Sequence, residues 1–370
     1  MLKKQEYLLL IPGLAFAVML IAGFVVSLIS LKDVPGKDWA ELAAPESVLS
    51  GQSTQRFTKL LNQHFVLAKS FSQIEHGILW NLTGDLGARV RAGCDDWLFL
   101  SDELEVHAAR AQSAEFRVQL TAQLERRLAE RGIKLLMVVV PDKTRIESAH
   151  LCTLQRTALF QDRINHWLNM LPPVTSLNLT ALLDRTPGDR YYHTDTHWNE
   201  NGANASAAEI ARELGKLGWV DTSNSTAVVL SDKRIERSGD LVHLAGLDGL
   251  PGFLRPKFEQ VQVTEVAPVT VASDDLFGDA GLPTVALVGT SYSRNANFVP
   301  FLEHHLGEPV ANLAKDGGDF FGAAADFFGG ETFQHNPPKV VLWEIPERVI
   351  EMPVTETERQ WLEKLNKSKL

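Results

Sequence analysis

The sequence has few of the residues on which several classes of protein depend. It contains only two cysteines, Cys94 and Cys152, and neither has a second cysteine at metal-ligand spacing, which excludes a cysteine-based metal site. The 36 Lys and Arg are outnumbered by 46 Asp and Glu, the formal charge is -10, and no basic stripe is visible. Because phosphates would meet no neutralising surface, a nucleic-acid partner is excluded.

The pairing of the two cysteines stays open. An exported bacterial compartment is oxidising enough to join them in a disulfide. The sequence does not reveal whether Cys94 and Cys152 meet in space, so two unpaired buried thiols are the alternative.

The overall composition is that of a folded protein. The chain has 370 residues, of which 45% are hydrophobic and 22% charged, and it has no internal repeat or low-complexity tract. That is enough for one large domain or two smaller ones with a substantial buried core.

The N-terminus carries the longest apolar run. Residues 8–31 contain no charge and are long enough to cross about 30 Å of hydrocarbon as a helix. Lys3 and Lys4 precede the run and Lys32 follows it, a bias that favours a cytoplasmic N-terminus and an exported remainder. A cleaved signal peptide is the alternative. The run is longer than a typical signal core and lacks a clear Ala-x-Ala exit, so we expect residues 1–31 to be a retained anchor.

Three apolar, β-branched runs predict strands buried on both faces of a parallel sheet. They are residues 134–143 (KLLMVVVPDK), 283–291 (PTVALVGTS) and 339–346 (KVVLWEIP). Helices predicted over residues 157–171 and 203–217 lie between the first two runs, and another over residues 113–131 precedes the first, which indicates crossover units. We therefore expect an α/β fold with a mostly parallel sheet flanked by helices.

These elements also suggest domain boundaries. We interpret residues 32–87 as a stalk and packing region, residues 88–354 as the α/β domain, and residues 355–370 as a polar tail that ends in a frayed helix. Within the domain, residues 220–271 are rich in Ser, Gly and Pro without a long helix, and we expect a loop-rich insertion there.

A candidate nucleophile follows the second apolar run. Ligands of open α/β sheets bind outside the carboxyl ends of the strands, and GTSYS at 289–293 would put Ser291 on a sharp turn before a helix that begins near Asn295. Backbone N–H groups and the helix dipole would face an oxyanion formed there. The alternative is that Thr290, Ser291 and Ser293 only cap the helix.

The segment YYHTDTHWNENGA at 191–203 supplies a candidate base and a group to orient it. Asp195 and His197 are two residues apart, so on an extended backbone they project to the same side. The carboxylate would then hold one imidazole nitrogen while the other faces Ser291. A structural histidine bonded to an aspartate near a helix start is the alternative.

This segment allows two further interpretations. His193, Asp195 and His197 stand at alternate positions, but no second acidic or His cluster supplies the remaining ligands of a metal. We therefore expect no metal and no cofactor. Trp198 is either a wall of the core or a platform for stacking sugars.

Four short strings together carry a family resemblance: Asp195-Thr196-His197-Trp198-Asn199; Gly289-Thr290-Ser291-Tyr292-Ser293 with Asn295 and Asn297; Asp96-Trp97-Leu98-Phe99; and Trp343-Glu344-Ile345-Pro346-Glu347-Arg348. In this order they resemble the alginate O-acetyltransferase group (AlgJ and AlgX), whose catalytic domain is similar to SGNH hydrolases. The resemblance implies that Ser291 is the nucleophile, His197 the general base and Asp195 the residue that orients it. The Asp-His pair precedes the Ser, the reverse of ordinary SGNH hydrolases, but geometry rather than order defines a triad.

The resemblance also implies partners and a location. A membrane-bound O-acyltransferase would export acetyl groups, and the triad protein, with other acetylation subunits, would pass them to hydroxyls of an exopolysaccharide. The catalytic domain would then lie in the periplasm, held to the bacterial inner membrane by the N-terminal helix. A polysaccharide acetylesterase with the same triad and a non-catalytic subunit of the acetylation complex are the alternatives.

Several side chains are candidates for substrate or oxyanion contacts. Beyond the Ser291 backbone N–H, Tyr292 and Asn297 are candidate oxyanion donors. An anionic polymer such as alginate would be repelled by a net charge of -10 unless local cations line the cleft. The candidate cations are Lys143, Arg145, Arg294, Lys315 and Arg348. A neutral glycan such as acetylated cellulose is the alternative substrate.

The end of the chain favours one branch of the group. The sequence stops soon after Arg348, which leaves no room for the C-terminal carbohydrate-binding module of the two-domain members. We therefore expect an anchored, single-domain, AlgJ-like protein.

Overall fold

A computed structural model describes residues 2–171, 174–226, 228, 231, 233–267, 269 and 283–367, with side chains from residue 12 onward except at 69. Helices α1 to α15 span Leu2–Ser30, Gly36–Ala43, Pro45–Leu49, Gln52–His64, Ala68–Thr83, Arg110–Glu130, Lys143–Ile146, Arg163–Met170, Thr180–Arg185, Glu200–Lys216, Asp240–Leu244, Phe298–Leu306, Gly322–Phe328, Glu331–His335 and Glu356–Lys367. Strands β1 to β9 span Val90–Ala92, Leu98–Leu100, Lys134–Val140, Thr175–Asn178, Arg234–Arg237, Glu259–Gln262, Val285–Val288, Val310–Asn312 and Val340–Pro346.

The chain divides into two compact units, one up to Leu79 and one from Trp80 onward. In the first unit, Pro12–Ser30 of α1 is long and apolar enough to cross a membrane, judged by length and composition. The predicted boundaries at residues 31, 87 and 354 stay predictions, because α5 itself runs across the division between the units.

The second unit is built on a parallel sheet, as the apolar runs predict. Its five strands lie in the order β4-β3-β9-β7-β8, and every neighbouring pair is parallel. In β3, Leu136 and Val138 enter one buried cluster while Met137 and Val139 enter another on the opposite face. Alternate residues of a strand point to opposite faces, so helices cover this sheet on both sides.

Two helices begin at other residues than the sequence predicts. The helix predicted from residue 113 begins at Arg110, and Ser113 is buried within it instead of capping it. The helix expected near Asn295 begins at Phe298, because a single-turn 3-10 helix, Ser291–Arg294, and positive φ angles at Ala296 and Asn297 come first. The left-handed backbone at Ala296 and Asn297 is incompatible with an α-helix, so the helix begins after these residues.

The predicted insertion over residues 220–271 is short-stranded and loop-rich in its described part. It contains α11 and the antiparallel pair β5–β6. Residues 227, 229, 230, 232, 268, 270 and 271 of that segment lie outside the described residues.

Cys94 and Cys152, whose pairing the sequence left open, form a disulfide. It closes a loop with a sequence separation of 58 residues. Cross-links of this kind stabilise a fold chiefly by restricting the unfolded chain.

The C-terminal segment is a packed helix and not the polar tail predicted from its sequence. In α15, Trp361 and Leu365 are buried against the core. Glu358 is also buried and accepts two hydrogen bonds of 3.1 Å from the Arg117 guanidinium of α6. The polar composition misled the prediction because the apolar side chains all lie on one face. Residues 368–370 lie outside the described residues.

This ion pair gives a test of the fold. We expect Glu358→Ala to lower the free energy of unfolding by about 3 to 5 kcal/mol, because Arg117 would stay buried without a counter-charge. Guanidinium-induced unfolding of the detergent-solubilised protein measures the loss.

Glu363→Ala is the matched control on the same helix. Its carboxylate is exposed and lies 3.3 Å from Lys367 one turn away, a surface pair worth about 0.5 kcal/mol. Equal effects of the two substitutions would contradict a structural role for α15.

Candidate active site

Asp195, His197 and Ser291 form a hydrogen-bonded line at the carboxyl edge of the sheet. The Asp195 Oδ1 atom lies 2.6 Å from His197 Nδ1, and His197 Nε2 lies 2.7 Å from Ser291 Oγ. Asp195 and His197 are buried, whereas Ser291 is half-buried and reachable from solvent. With a proton on Nδ1, the free Nε2 lone pair can accept the serine proton, which is the geometry of an activated nucleophile.

The loop that carries Asp195 and His197 is held at both ends by residues adjacent to it in the sequence. Tyr191 and Trp198 pair as an isolated antiparallel β-bridge, so residues 192–197 form a short loop between them. Asn199 then caps α10, because its side chain accepts a hydrogen bond from the Gly202 N–H. The capped helix fixes the end of the loop just after the histidine.

Two residues of the insertion complete the surroundings of Asp195. Arg237 donates to Asp195 Oδ2 at 2.9 Å, and the Asp240 backbone N–H donates to the same oxygen at 3.0 Å. Burial alone would raise the pKa of Asp195, but the hydrogen bond with His197 and the charges of His197 and Arg237 hold it well below its ordinary value. Asp195 therefore stays ionised and keeps the imidazole oriented.

Asp240 is a second carboxylate close to the imidazole. Its Oδ1 accepts the Thr196 N–H at 2.7 Å, while its Oδ2 lies 3.9 Å from His197 Nδ1. Burial, followed by the charge of Asp195, raises the pKa of Asp240. The shorter contact assigns the hydrogen bond on Nδ1 to Asp195, and Asp240 holds the backbone of the loop.

A buried carboxylate shapes the serine turn. Glu344 of β9 accepts hydrogen bonds from the Thr290 N–H at 2.7 Å, from the Thr290 hydroxyl and from the Ser293 hydroxyl. A Cβ added at Gly289 would stand 2.6 Å from Glu344 Oε2, so only glycine allows this close approach. Burial raises the pKa of Glu344, and these hydrogen bonds oppose the shift.

Thr290, and not Ser291, caps the short helix after the strand. Its Oγ accepts the Tyr292 N–H at 3.3 Å. The capping alternative therefore applies to Thr290, which leaves the Ser291 hydroxyl for His197. The Ser291 backbone N–H opens this turn, where a helical N–H has no partner within the helix.

Lys143, predicted as a substrate cation, is a buried support of the loop. Its Nζ donates to the carbonyl oxygens of Leu98, His193 and Asp195 at 2.6, 2.8 and 2.9 Å. Burial lowers the pKa of Lys143 to about 8. A side chain with no exposed surface cannot contact a polymer, so the prediction was wrong for this residue.

Trp198 and Tyr292 are likewise part of the core. Trp198 is fully buried against Phe298 and donates its Nε1–H to the Tyr292 carbonyl, so it is a wall of the core and not a sugar platform. The Tyr292 hydroxyl donates to the Thr196 carbonyl and cannot serve as an oxyanion donor in this arrangement.

The remaining predicted contacts fall into two groups. The Asn297 amide donates to Glu200 Oε1 at 2.8 Å and to the Thr264 carbonyl, so it ties the insertion to the domain and is not aimed at an oxyanion. Arg294 ends the serine turn and is exposed, with an ion pair to Asp316 at 3.2 Å.

Three other predicted cations differ in their availability. Arg145 is engaged by the buried Glu347, and the exposed Lys315 pairs with Asp326. Arg348 is half-buried, 4.0 Å from Glu103, with its guanidinium 5.8 Å from the centre of the Tyr292 ring. Of the predicted cations, Arg294 is the exposed one nearest to the nucleophile in sequence.

The surroundings of the triad do not suit a metal ion. Asp195, His197 and Asp240 offer ligand atoms within 4.8 Å of one another, but the Arg237 guanidinium occupies Asp195 Oδ2. A fixed positive charge in this position opposes a bound cation. His193, the third member of the predicted metal set, pairs with Asp189 instead.

Sequence reasoning missed four residues that hold the site: Arg237, Asp240, Glu259 and Glu344. Glu259 accepts the N–H groups of His193 and Thr194, which pins the start of the loop. Only Glu344 left a signal in the sequence, because a charged residue inside an otherwise apolar strand must have buried partners.

Known proteins are similar to this chain in sequence and in fold. Residues 90–347 match the family described as SGNH hydrolase-like domain, acetyltransferase AlgX. The chain is 30% identical over 355 residues to the probable alginate O-acetylase AlgJ of Pseudomonas aeruginosa, covering 92% of this chain and 90% of that protein. It is 28% identical over 266 residues to the alginate biosynthesis protein AlgX of Pseudomonas syringae, covering 67% of this chain and 53% of that protein.

A solved structure agrees with the sequence comparison. The O-acetyltransferase domain of Pseudomonas putida AlgJ superposes with a TM-score of 0.65 at 27% identity, covering 75% of this chain and 99% of that domain. The resemblance inferred from four short strings is thereby confirmed, as is the SGNH-like α/β fold. The chain belongs to the AlgX-type family of SGNH hydrolase-like O-acetyltransferases.

Proposed function

We propose that this protein transfers acetyl groups to hydroxyls of alginate or a similar exopolysaccharide through an acetyl-serine intermediate. The observation that carries the proposal is the continuous line from Asp195 through His197 to Ser291, with contacts of 2.6 and 2.7 Å. The name of the Pseudomonas aeruginosa relative, probable alginate O-acetylase AlgJ, supports the choice of polymer.

In the first half of the reaction, His197 Nε2 takes the proton of Ser291 as Oγ attacks the acetyl carbonyl of the donor. The tetrahedral oxyanion is held by backbone donors, of which the Ser291 N–H at the start of its turn is one. When the intermediate collapses, the bond between the acetyl carbon and the donor breaks, and the leaving group of the donor departs with the proton from His197. Ser291 then carries the acetyl ester.

In the second half, a sugar hydroxyl gives its proton to His197 Nε2 and attacks the acetyl-serine carbonyl. The C–O bond to Ser291 breaks, and the protonated His197 returns the proton to Oγ. Water competes for the same ester, so transfer requires that the sugar be positioned better than water.

The net charge of the chain affects which polymer can bind near the nucleophile. A uronate must approach a chain with a net charge of -10, so cations near the nucleophile are needed to hold it. Arg294 is the first candidate because it is exposed and ends the turn that begins with Ser291, where a uronate would compete with Asp316 for its guanidinium. Arg348 is a second candidate, although its guanidinium is largely buried.

We further propose that α1 anchors the chain in the bacterial inner membrane, with the second unit in the periplasm. The apolar segment Pro12–Ser30 and the Cys94–Cys152 disulfide support this location, because structural disulfides persist in oxidising compartments. A membrane-bound O-acyltransferase that exports acetyl groups, together with other polysaccharide acetylation subunits, would then supply the donor on the same side.

Ser291→Ala tests the proposed chemistry. The part from Lys32 onward is incubated with a chromogenic acetyl ester and with uronate and neutral oligosaccharides, and acetylated sugar is detected by mass. We expect the variant to lose activity by on the order of 10^4-fold or more, because no group is left to carry the acetyl. Ser225→Ala, at an exposed serine, is the control and should match the wild type.

The pattern of products separates the candidate functions. Acetylated uronate, absent with Ser291→Ala, is the expected result and names the polymer class. Ester cleavage without sugar acetylation would indicate an acetylesterase. Equal rates for wild type and variant would refute the role of Ser291 and leave a non-catalytic subunit.

A matched pair of substitutions tests which carboxylate orients the imidazole. We expect Asp195→Asn to reduce turnover by on the order of 10^4-fold, because an amide stabilises the wrong histidine tautomer. Asp240→Asn keeps the oxygen that accepts the Thr196 N–H and should retain activity within about tenfold. Steady-state rates on the chromogenic ester measure both, and a greater loss in Asp240→Asn would reverse the assignment.

A further inference from the structure

Helix α5 exposes an apolar stripe. Phe71, Ile74 and Ile78 are 58%, 42% and 45% exposed, and their spacing of three and four residues places them on one face of the helix. Several large apolar side chains on one exposed face are typical of a surface that binds another apolar phase.

The stripe begins beside the end of the apolar span. The Val66 N–H donates to Ser30 Oγ at 3.1 Å, and Ser30 is the last residue of α1. Helix α5 begins two residues after Val66, and Phe65 stacks on Phe71 with ring centroids 6.4 Å apart. If α1 crosses a bilayer, this contact holds the start of the stripe at the level where the chain leaves the hydrocarbon.

The net charge of the residues around α5 also permits the apolar stripe to approach lipid. Residues 32–79 contain five Lys and Arg and five Asp and Glu, so this segment is neutral although the whole chain has a charge of -10. Anionic headgroups would repel the acidic remainder of the chain but not this segment.

We propose that the Phe71, Ile74 and Ile78 face of α5 inserts into the headgroup and acyl boundary of the bilayer that α1 crosses. This inference rests on the membrane anchor of the proposed function and adds a second membrane contact to it. The stalk predicted over residues 32–87 would then lie along the membrane in part. Such a contact limits how far the following chain can move from the bilayer, where an acetyl donor passed across the membrane would emerge.

Site-specific fluorescence in nanodiscs tests the contact. Full-length protein, one copy per disc, carries an environment-sensitive nitrobenzoxadiazole dye on Ile74→Cys, and the disc lipids carry a nitroxide near the headgroup for this position and, in separate discs, near the end of the acyl chain for the Leu20→Cys variant described below. The disulfide keeps Cys94 and Cys152 from reacting with the dye. We expect lipid quenching of this dye to be about twofold or more above that of the control.

His76→Cys is the matched control, because His76 is exposed and lies two residues, or about 200°, around the helix from Ile74. Leu20→Cys, on the exposed surface of α1, reports the anchor independently. Quenching at Leu20 and Ile74 but not at His76 supports the inference. Quenching at Leu20 alone overturns it and leaves the anchor intact.

Two other outcomes also overturn the inference and differ in meaning. A blue-shifted dye at Ile74 without lipid quenching would assign the stripe to a protein surface, either another part of this chain or a partner. No quenching at Leu20 would refute the anchor itself, while the Ser291 chemistry would still be judged by its own assay.

Discussion

The candidate active site depends on two buried charged side chains that are held by hydrogen bonds to the loops around it. A carboxylate or ammonium removed from water is costly unless it is paired and hydrogen-bonded. Glu344 is buried and accepts hydrogen bonds from the serine turn, whereas Lys143 is buried and donates to the loop that carries Asp195 and to the Leu98 carbonyl of β2. Movement of either loop would leave such a charge unsatisfied, so these interactions fix the distance between His197 and Ser291.

A second group of buried charged residues follows the ends of strands β3 and β9. Glu347, directly after β9, accepts hydrogen bonds from Arg145, Arg156 and Arg163. Burial would raise the pKa of Glu347, but the bond from Arg145 and the nearby guanidinium charges lower it to about 2. Asp142, at the end of β3, has its pKa raised to about 7 by burial and by the charge of Glu347. The network thus binds the carboxyl ends of two adjacent central strands.

This arrangement suits the proposed acetyl transfer, in which water must be kept from competing with the sugar for the acetyl group. A preorganised nucleophile and base need no rearrangement when charge develops, so the barrier is lowered by fixed groups. The insertion contributes Arg237 and Asp240, which bind Asp195, while the end of strand β7 leads to Ser291. Asp195 and Ser291 come from distant parts of the sequence, and the rigid sheet edge is what brings them together.

The sequence by itself determined the fold class and the family, and it predicted the triad of Asp195, His197 and Ser291 that we propose. Apolar β-branched runs specify buried parallel strands whatever surrounds them, and the Asp-x-His and GTSYS strings are local patterns. Only the tertiary structure decided that Lys143, Trp198 and Tyr292 are buried supports, that the cysteines pair, and that α15 packs on the core. Whether a charged or aromatic side chain faces substrate or interior depends on contacts between segments far apart in the chain. Local sequence carries no record of those contacts.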